Sequence, residues 1–517
     1  MYPSLFQLLV GSLVAATSVN AAAPYSPRKP RNDVLDCLTS KNVPFVVKSD
    51  GNWTSYATPY NLRLVYEPAV ITVPETPEQV ASSVTCAAAA SLKVQAKGGG
   101  HSYASYSSGG KDGSLIVDME KFASIDVDKS TFIAKIGAGQ RLGNIAIEIF
   151  DQAQRGLPHG TCSGVGIAGH ALHGGYGYAS RKWGITLDTI VGIDVVLANG
   201  SQIYTSCESY PDVFYAMKGA GDAFAIATYF YLQTQPAPAS VTYFSADLAA
   251  SLTNVETVTA GFEKLQNFVL TSPLLTPNIT LGMYTDTSGL FSISGWCMDC
   301  DTAAFTNSVF PAMLAGFPGA ASPTVTQQGW IEALTVLADP YPLAQPLGHE
   351  YTSHDTFYAK SIVSKNARPL TTAAIRAFWA YMVDNQGKGP FYSIINLYGG
   401  PGSAINAPSP DSSAYSERDT LWVFQNYEST AAQQPPYDPA AIGFVDGLNA
   451  AVENAQPDGD FSGYINYVDS DLDAMTAAEQ YYGAATYNKL LDIKMQVDPT
   501  FVFWNPQAVG NSMALPV

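Results

Sequence analysis

Two glycine-rich segments decide how this chain is interpreted: Lys97-Gly98-Gly99-Gly100-His101-Ser102-Tyr103 and His159-Gly160-Thr161-Cys162-Ser163-Gly164-Val165-Gly166. Consecutive glycines allow positive φ angles and let the backbone approach a bound group closely, with its amide hydrogens directed at that group. Each segment also contains one nucleophilic side chain, His101 in the first and Cys162 in the second. A third glycine cluster follows at 174–177. The spacing therefore predicts a ligand cradle built from two loops.

Each loop taken alone has a simpler explanation. Glycine-rich loops are common turns, a lone cysteine is usually a small buried hydrophobe, and a lone histidine is more often a core side chain than a ligand. The Gly98 loop does not match the G-x-G-x-x-G of a dinucleotide-binding turn, so a Rossmann fold is not supported. The two loops together suit a pyrophosphate, and a nucleophile in each suits a flavin held by covalent bonds.

In the order and separation of these two loops, the chain resembles fungal carbohydrate oxidases, among them gluco- and chito-oligosaccharide oxidases. These belong with berberine-bridge-enzyme-like proteins to the vanillyl-alcohol-oxidase family, whose FAD domain is of the PCMH type. The resemblance implies that His101 bonds the 8α-methyl of FAD and that Cys162 bonds C6. It implies further cofactor contacts at Gly98, Gly99, Gly100, Ser102, Gly166, Gly169, His170, Gly175, Gly221 and Ile226.

Size and charge limit the possible partners. The chain has 517 residues, enough for two domains, and a formal net charge of −18. A phosphate backbone or an anionic membrane would be repelled, so neither nucleic acid nor membrane is expected as a partner. No apolar run approaches the ~20 residues needed to cross a bilayer. We expect a monomer that acts on a small molecule.

The N-terminus predicts secretion. Residues 5–19 are apolar, and Val19-Asn20-Ala21 forms a small-x-small cleavage site, so residues 1–21 are interpreted as a signal peptide. Glycosylation sequons begin at Asn52, Asn199 and Asn278, as expected of a secreted glycoprotein.

Six cysteines fit an oxidising compartment. The resemblance implies a disulfide in the region of Cys37 and Cys86. Cys297 and Cys300 allow a tight disulfide, a redox pair or half of a metal site, of which a structural bridge is favoured because no second such pair accompanies them. Cys162 and Cys207 are left unpaired, and a thioether to flavin would remove the first from oxidation.

Periodicity predicts an α+β fold in several segments: a signal peptide (1–21), an N-terminal extension (22–64), an FAD-binding domain (65–238), a substrate domain (239–458) and a C-terminal segment (459–517). Strands and helices alternate in the FAD-binding domain, with a helix over 142–156 and a hairpin turning at Asn199-Gly200. The substrate domain is expected to form an antiparallel sheet backed by helices. Residues 406–416, rich in Ser, Pro and Ala, predict a surface loop. The resemblance implies that the C-terminal segment returns to the FAD domain.

The catalytic candidates also come from the resemblance. In Tyr464-Ile465-Asn466-Tyr467, the second tyrosine matches the base that takes the substrate's hydroxyl proton as hydride leaves to flavin N5. Tyr464 and Tyr103 are expected beside it. A tyrosine is a poor base near its usual pKa of ~10 and needs help from a neighbour.

Substrate contacts are expected at Ile394, Asn396 and Gln425. The sugar oxidases have Gln and Asp at the first two positions, and that Asp assists the tyrosine, whereas Gln425 keeps the family residue. An apolar Ile394 disfavours a site built around sugar hydroxyls.

The sequence is compatible with four functions. The favoured prediction is a secreted oxidase with bicovalent FAD that dehydrogenates a small phenolic or polyketide metabolite and is reoxidised by O2. The alternative is an oligosaccharide oxidase that converts the anomeric carbon to a lactone and releases H2O2. A third is a non-catalytic carbohydrate-binding glycoprotein. A metal hydrolase using His159, His170 and His173 is the fourth, disfavoured because no carboxylate base accompanies them; no metal is expected.

Overall fold

The computed structural model describes residues 30–512 and 514–515. The signal peptide predicted at 1–21 lies outside these residues. Among the described residues, no helix is long and apolar enough to span a membrane. The mixture of helices and sheets agrees with the α+β prediction.

From residue 30, where the described part of the chain begins, to residue 236, the N-terminal half has eleven strands and seven helices. Its strands are β1 (Phe45–Val46), β2 (Val70–Thr72), β3 (Val94–Lys97), β4 (Leu115–Asp118), β5 (Ile125–Val127), β6 (Ile133–Gly137), β7 (Arg155–Gly156), β8 (Ile190–Leu197), β9 (Gln202–Thr205), β10 (Ala225–Gln233) and β11 (Gln235–Pro236). Its helices are α1 (Pro30–Ser40), α2 (Trp53–Ala57), α3 (Pro77–Ala89), α4 (Leu142–Ala153), α5 (Ile167–Leu172), α6 (Ser180–Trp183) and α7 (Pro211–Ala220).

Two main sheets form this half. The first has the order β1-β2-β4-β3, and β4 pairs in parallel with both β2 and β3. The second is antiparallel with the order β5-β6-β10-β8-β9, and β8 and β9 form the predicted hairpin. Strand β3 is buried at both ends and leads directly into the Gly98 loop. The first sheet therefore positions His101.

The remaining strands are β12 (Val241–Asp247), β13 (Ile279–Asp286), β14 (Phe291–Met298), β15 (Ala321–Gln328), β16 (Phe357–Lys365), β17 (Phe391–Leu397) and β18 (Thr420–Ser429). The remaining helices are α8 (Val255–Thr271), α9 (Thr302–Ala304), α10 (Phe310–Leu314), α11 (Trp330–Ala338), α12 (Thr372–Asp384), α13 (Ile442–Ala455) and α14 (Ala474–Val497).

The seven strands form one antiparallel sheet in the order β15-β12-β14-β13-β17-β18-β16. Helices α8, α12 and α13 cover one face, where Phe262, Trp379 and Leu448 join one buried cluster. Side chains alternate between the two faces of a strand. Along β17, Phe391, Ile395 and Leu397 belong to that cluster, so Tyr392, Ile394 and Asn396 point to the opposite face. The predicted helix-backed antiparallel sheet is confirmed.

The C-terminal segment packs against the N-terminal half. After α14, Phe503 forms a parallel bridge with Val94 at the edge of the first sheet. Lys494 is fully buried, pairs with Asp498 at 2.7 Å and donates to the carbonyl oxygen of Ala223. This ties α14 to the loop that begins at Gly221.

Both disulfide predictions are confirmed: Cys37 bonds Cys86, and Cys297 bonds Cys300. Cys162 and Cys207 are free.

Two sequence predictions about local structure hold only in part. The helix predicted over 142–156 ends at Ala153, because Gln154 adopts a left-handed conformation and the chain then enters β7. The surface loop predicted at 406–416 is buried from Ser413 to Tyr415. The backbone there presses on Gly219, where a Cβ atom would overlap the Ala414 carbonyl carbon and the Tyr415 nitrogen. The polar composition of this segment indicated a loop, but it did not indicate that part of the loop is buried against other residues.

Candidate active site

A cavity of about 740 Å³ lies between the two glycine loops, the face of the seven-stranded sheet opposite helices α8, α12 and α13, and the C-terminal segment. This volume is within the range of pockets that hold organic cofactors and ligands. All three candidate catalytic tyrosines, all three candidate substrate contacts and most of the candidate cofactor contacts line it. These are Gly98, Gly99, Gly100, His101, Ser102, Tyr103, Cys162, Gly166, Gly169, His170, Ile226, Ile394, Asn396, Gln425, Tyr464 and Tyr467.

Gly175 and Gly221 do not line the cavity. A Cβ atom on Gly221 would meet the side chain of Leu172, and one on Gly175 would meet Thr186. Gly175 acts instead through its N–H, which donates to the Tyr464 hydroxyl at 2.9 Å. The structure therefore does not place these two glycines where sequence reasoning put them.

The two glycine loops touch through their backbones. A Cβ atom on Gly99 would overlap the nitrogen and Cα of Gly166, and one on Gly166 would overlap Gly99. Gly100 has φ +75°, a conformation in which other residues are strained. Glycine is required here because the loops meet without space for side chains, and this contact brings His101 and Cys162 to the same cavity.

His101 is held as a neutral imidazole. Its Nε2 lies 2.9 Å from the Tyr351 hydroxyl, and its ring stacks on Tyr60 with centroids 4.1 Å apart. Burial, with the nearby charges of Arg141 and His354, lowers the pKa of His101 to about 3. A neutral imidazole has a nitrogen lone pair available, which a nucleophile requires.

The Cys162 side chain is exposed and lines the cavity. Burial raises the pKa of its thiol, while hydrogen bonds from the backbone N–H groups of Gly164 and Val165 act in the opposite direction. These N–H groups stabilise the thiolate where it forms.

Tyr464 and Tyr467 differ in the hydrogen bonding of their hydroxyl groups. The Tyr464 oxygen accepts hydrogen bonds from the N–H groups of Gly175 and Tyr176, at 2.9 and 3.3 Å, and from Asn466 Nδ2 at 2.9 Å. The Tyr467 hydroxyl has no hydrogen-bond partner among the described residues. Tyr467 therefore has a hydroxyl available to a bound molecule, whereas Tyr464 is already engaged.

Tyr103 extends the site towards the sheet. Its ring stacks on Tyr467, with centroids 5.8 Å apart and planes 16° from parallel. Its hydroxyl accepts a hydrogen bond of 2.6 Å from Gln425 Nε2. Burial, followed by the neighbouring tyrosine charges, raises the pKa of Tyr103 and of Tyr467 well above the usual value.

Among the described residues, none of those that line the cavity from the sheet has a charged side chain. Ile394 and Asn396 come from β17 and Gln425 from β18, all on the face opposite the helices. Among the described residues that line the cavity, the carboxylates are Asp222 and Asp339. Asp222 pairs with His173 and not with a residue of the sheet face.

Sequence reasoning missed this pair of His173 and Asp222. Their side chains meet at 2.9 Å, and Asn505 Nδ2 donates to the second Asp222 oxygen at 2.6 Å. Asp222 raises the pKa of His173 against the effect of burial. The glycines around Asp222 were the available signal, but the partner histidine 49 residues earlier could not be inferred.

The three histidines of the disfavoured metal site have separate partners. His170 Nε2 accepts from the Gly160 N–H at 3.1 Å, His159 contacts the Gly160 carbonyl oxygen, and His173 pairs with Asp222. Among residues 30–512, no group of three or more His, Cys, Asp or Glu side chains is arranged to hold a metal ion.

Known proteins match most of the chain. Residues 68–206 match the family model described as FAD binding domain, and residues 463–510 match the one described as berberine and berberine like. The xylooligosaccharide oxidase of Thermothelomyces thermophilus is 35% identical over 505 residues, covering 96% of this chain and 98% of the relative. The chain belongs to the berberine-bridge-enzyme-like family of FAD-linked oxidases.

Other members of the family have names that differ in substrate. The chitooligosaccharide oxidase of Gibberella zeae is 36% identical and covers 98% of this chain and 99% of the relative. An FAD-linked oxidoreductase of Metarhizium anisopliae, dpmaF, is 33% identical over 97% of this chain and 95% of its own length. Taken together, the relatives support an oligosaccharide substrate better than the predicted phenolic or polyketide metabolite.

A solved structure supports a tethered cofactor in the family. The glucooligosaccharide oxidase of Acremonium strictum, which has a 6-S-cysteinyl, 8α-N1-histidyl FAD, superimposes with a TM-score of 0.86 at 31% identity, covering 93% of this chain and 100% of that one. The residues present here fit such a group: a histidine and a cysteine at one cavity, beside backbone loops that exclude side chains.

Proposed function

We propose that this FAD-linked oxidase carries its cofactor on two covalent bonds, to His101 and Cys162, and oxidises the anomeric carbon of a neutral oligosaccharide to a lactone, with O2 as electron acceptor. One observation carries the proposal: a single cavity joins both nucleophiles to the uncharged sheet face that carries Asn396 and Gln425. When bound, FAD supplies the two-electron acceptor that the protein lacks. The loops at 98–100 and 162–166 would hold it.

Tyr467 would take the substrate's hydroxyl proton. Its hydroxyl is free of other described partners, and stacking on Tyr103 fixes its ring. Tyr464 would hold the turn at Ile465–Tyr467 in place through its three accepted hydrogen bonds. Since burial raises the pKa of Tyr467, its phenolate is the minor form near neutral pH, and the reaction should require its deprotonation.

The absence of charge on the sheet face favours a neutral substrate. Uncharged amides at Asn396 and Gln425 can both donate to and accept from hydroxyl groups. Tyrosine rings around them, Tyr178, Tyr284, Tyr392 and Tyr398, offer flat surfaces with polar edges. An acidic sugar would have to bury its carboxylate without a cationic partner from the lining residues of this face.

A small aromatic alcohol is the second candidate. Ile394 places an aliphatic side chain among these tyrosines, where it cannot bond a sugar hydroxyl. This contact favours a less polar substrate, and the similarity to dpmaF is compatible with substrates other than sugars.

A peroxide-coupled assay separates the two candidates. Purified protein is offered xylo-, cello- and chito-oligomers and, in parallel, a panel of benzylic and phenolic alcohols. We expect saturable turnover of one oligomer series, with one H2O2 per lactone formed. Turnover confined to aromatic alcohols would reject the oligosaccharide proposal, and no turnover of either class would reject both.

We also propose that the protein is a secreted, N-glycosylated monomer. The exposed sequons at Asn52 and Asn199 support glycosylation, and Asn278 is half-buried. Endoglycosidase treatment of the secreted protein should lower its mass.

A further inference from the structure

The imidazole of His101 has one engaged nitrogen and one free nitrogen. Nε2 is hydrogen-bonded to the Tyr351 hydroxyl at 2.9 Å, while Nδ1 has no hydrogen-bond partner among the described residues. The ring stacks on Tyr60 on one side, which fixes its plane. Because the two nitrogens of a neutral imidazole differ, the partner of one decides the role of the other.

Arg141 fixes the position of Tyr351. The guanidinium carbon lies 3.8 Å from the centre of the Tyr351 ring, in a cation–π contact. Arg141 is 1% exposed, and it donates to the carbonyl oxygens of Gly99, at 2.8 Å, and Gly164. Its Nε donates to Pro346 O at 2.8 Å. One side chain therefore joins the loop of His101, the loop of Cys162 and the segment that carries Tyr351.

That segment, residues 339–354, crosses both loops and is here named the strap. Ser163 Oγ donates to Pro342 O at 2.8 Å, and Asn144 Nδ2 donates to Gln345 O at 2.9 Å. A Cβ atom on Gly164 would overlap the Tyr351 hydroxyl, so this oxygen lies directly against the Cys162 loop as well as against His101.

We propose that Tyr351, held by Arg141, is a positioning residue for cofactor attachment: it engages Nε2 of His101 and leaves Nδ1 as the nitrogen that bonds the flavin. This inference rests on the bicovalent attachment proposed above. The tautomer that the proposal requires has Nε2–H donating to the Tyr351 oxygen, which leaves the lone pair on Nδ1. Burial keeps the imidazole neutral and this lone pair unprotonated.

The chemistry balances with dioxygen as the oxidant. In the histidyl attachment, a C–N bond forms between Nδ1 and the 8α carbon, and one C–H bond of the methyl group breaks. The alkylated imidazole loses its Nε2 proton through the Tyr351 hydroxyl. Two protons and two electrons are released in total and reduce O2 to H2O2. The cysteinyl attachment balances in the same way, with S–H and C6–H exchanged for C–S.

The test compares three forms of the whole protein, each expressed with FAD and digested for peptide mass analysis: the parent, Tyr351→Phe and Tyr60→Phe. In the parent, one FAD should join the His101 and Cys162 peptides. Tyr351→Phe should reduce the His101 attachment by roughly tenfold to a hundredfold, the scale of a misplaced reacting group. Its Cys162 peptide should still carry FAD, and its visible spectrum should be that of a singly attached flavin. Tyr60→Phe, which keeps the ring that stacks on His101, is the matched control and should match the parent.

Each outcome decides between the alternatives. Full His101 attachment in Tyr351→Phe would overturn the inference, and so would equal loss of both attachments, because Tyr351 would then serve only the fold. Gly164→Ala is the second variant if Tyr351→Phe does not fold. It should displace the hydroxyl while retaining the tyrosine, again lowering His101 attachment more than Cys162 attachment; parent-level His101 attachment there would also overturn the inference. A parent without either attachment would instead refute the proposed function.

Discussion

The cofactor end and the substrate end of the cavity differ in what forms them: backbone atoms at the first and side chains at the second. At the cofactor end, backbone meets backbone: Gly99 and Gly166 approach so closely that neither position has room for a Cβ atom. At the substrate end, side chains on alternate positions of β17 and β18 project into the cavity. Where backbone packs on backbone, almost no amino-acid substitution is tolerated. A side chain on a strand can be substituted without altering the sheet. We infer that the substrate end can vary within the family while the cofactor end cannot, and relatives named for xylo-, chito- and glucooligosaccharides agree with this inference.

The largest expected effect lies where the two ends meet. Tyr467→Phe keeps the ring that stacks on Tyr103 but removes the hydroxyl that would accept the substrate proton. We expect kcat to fall by about 10²- to 10⁴-fold, the usual contribution of a general base. Steady-state kinetics with peroxide detection measure the fall, and absorbance confirms an unchanged FAD content. Parent-level activity would remove Tyr467 from the mechanism.

The next test concerns the cofactor end alone. Gly99→Ala forces a methyl group onto the backbone of Gly166 and should destabilise the folded protein by about 2–4 kcal/mol and reduce FAD loading. Gly443→Ala in α13 is the control, since a Cβ atom there has nothing within 4 Å. Thermal unfolding and the ratio of flavin to protein absorbance measure both changes. Equal behaviour of the two variants would show that the backbone contact is not required.

The pH dependence should also follow Tyr467. A pKa raised by burial means that the anionic fraction grows as pH rises, by at most about tenfold per unit below that pKa. We therefore expect kcat/KM to increase from neutral to alkaline pH. The increase should disappear in Tyr467→Phe. A profile that falls with pH over this range would contradict the assignment.

The smallest expected effect lies at the substrate end. Ile394→Gln adds hydrogen-bonding groups on β17 and should raise the kcat/KM ratio of oligosaccharide over aromatic alcohol by roughly tenfold. Leu290→Gln changes an exposed leucine in the turn between β13 and β14 and should leave that ratio unchanged. A ratio that moves towards the aromatic alcohol in Ile394→Gln would show that this face does not select sugars.

Local patterns predicted much of the fold. The Asn199-Gly200 turn is encoded within a few neighbouring residues, and it forms the predicted hairpin of β8 and β9. The α+β class and the antiparallel sheet followed from these patterns. The extent of the buried surface did not, because residues 413–415 are covered by partners distant in sequence, among them Gly219.

The candidate site, like the fold, was predictable only where the signal lies within a local stretch of sequence. The loops with His101 and Cys162 are visible in the sequence, and they share one cavity in the structure. Tyr351 is not visible in this way, because it lies 250 residues after His101 in a segment without a distinctive pattern. Gly175 and Gly221, predicted as cofactor contacts, do not line the cavity. A glycine cluster in a sequence indicates close packing but does not identify the partner that packs there.

The most direct test is the state of the flavin after denaturation. The protein is precipitated with acid, washed and digested, and the peptides that contain His101 and Cys162 are weighed. Two attachments to one FAD predict a yellow pellet and a single cross-linked species that contains both peptides and the cofactor. A colourless pellet, with FAD in the supernatant and both peptides unmodified, would contradict the covalent model.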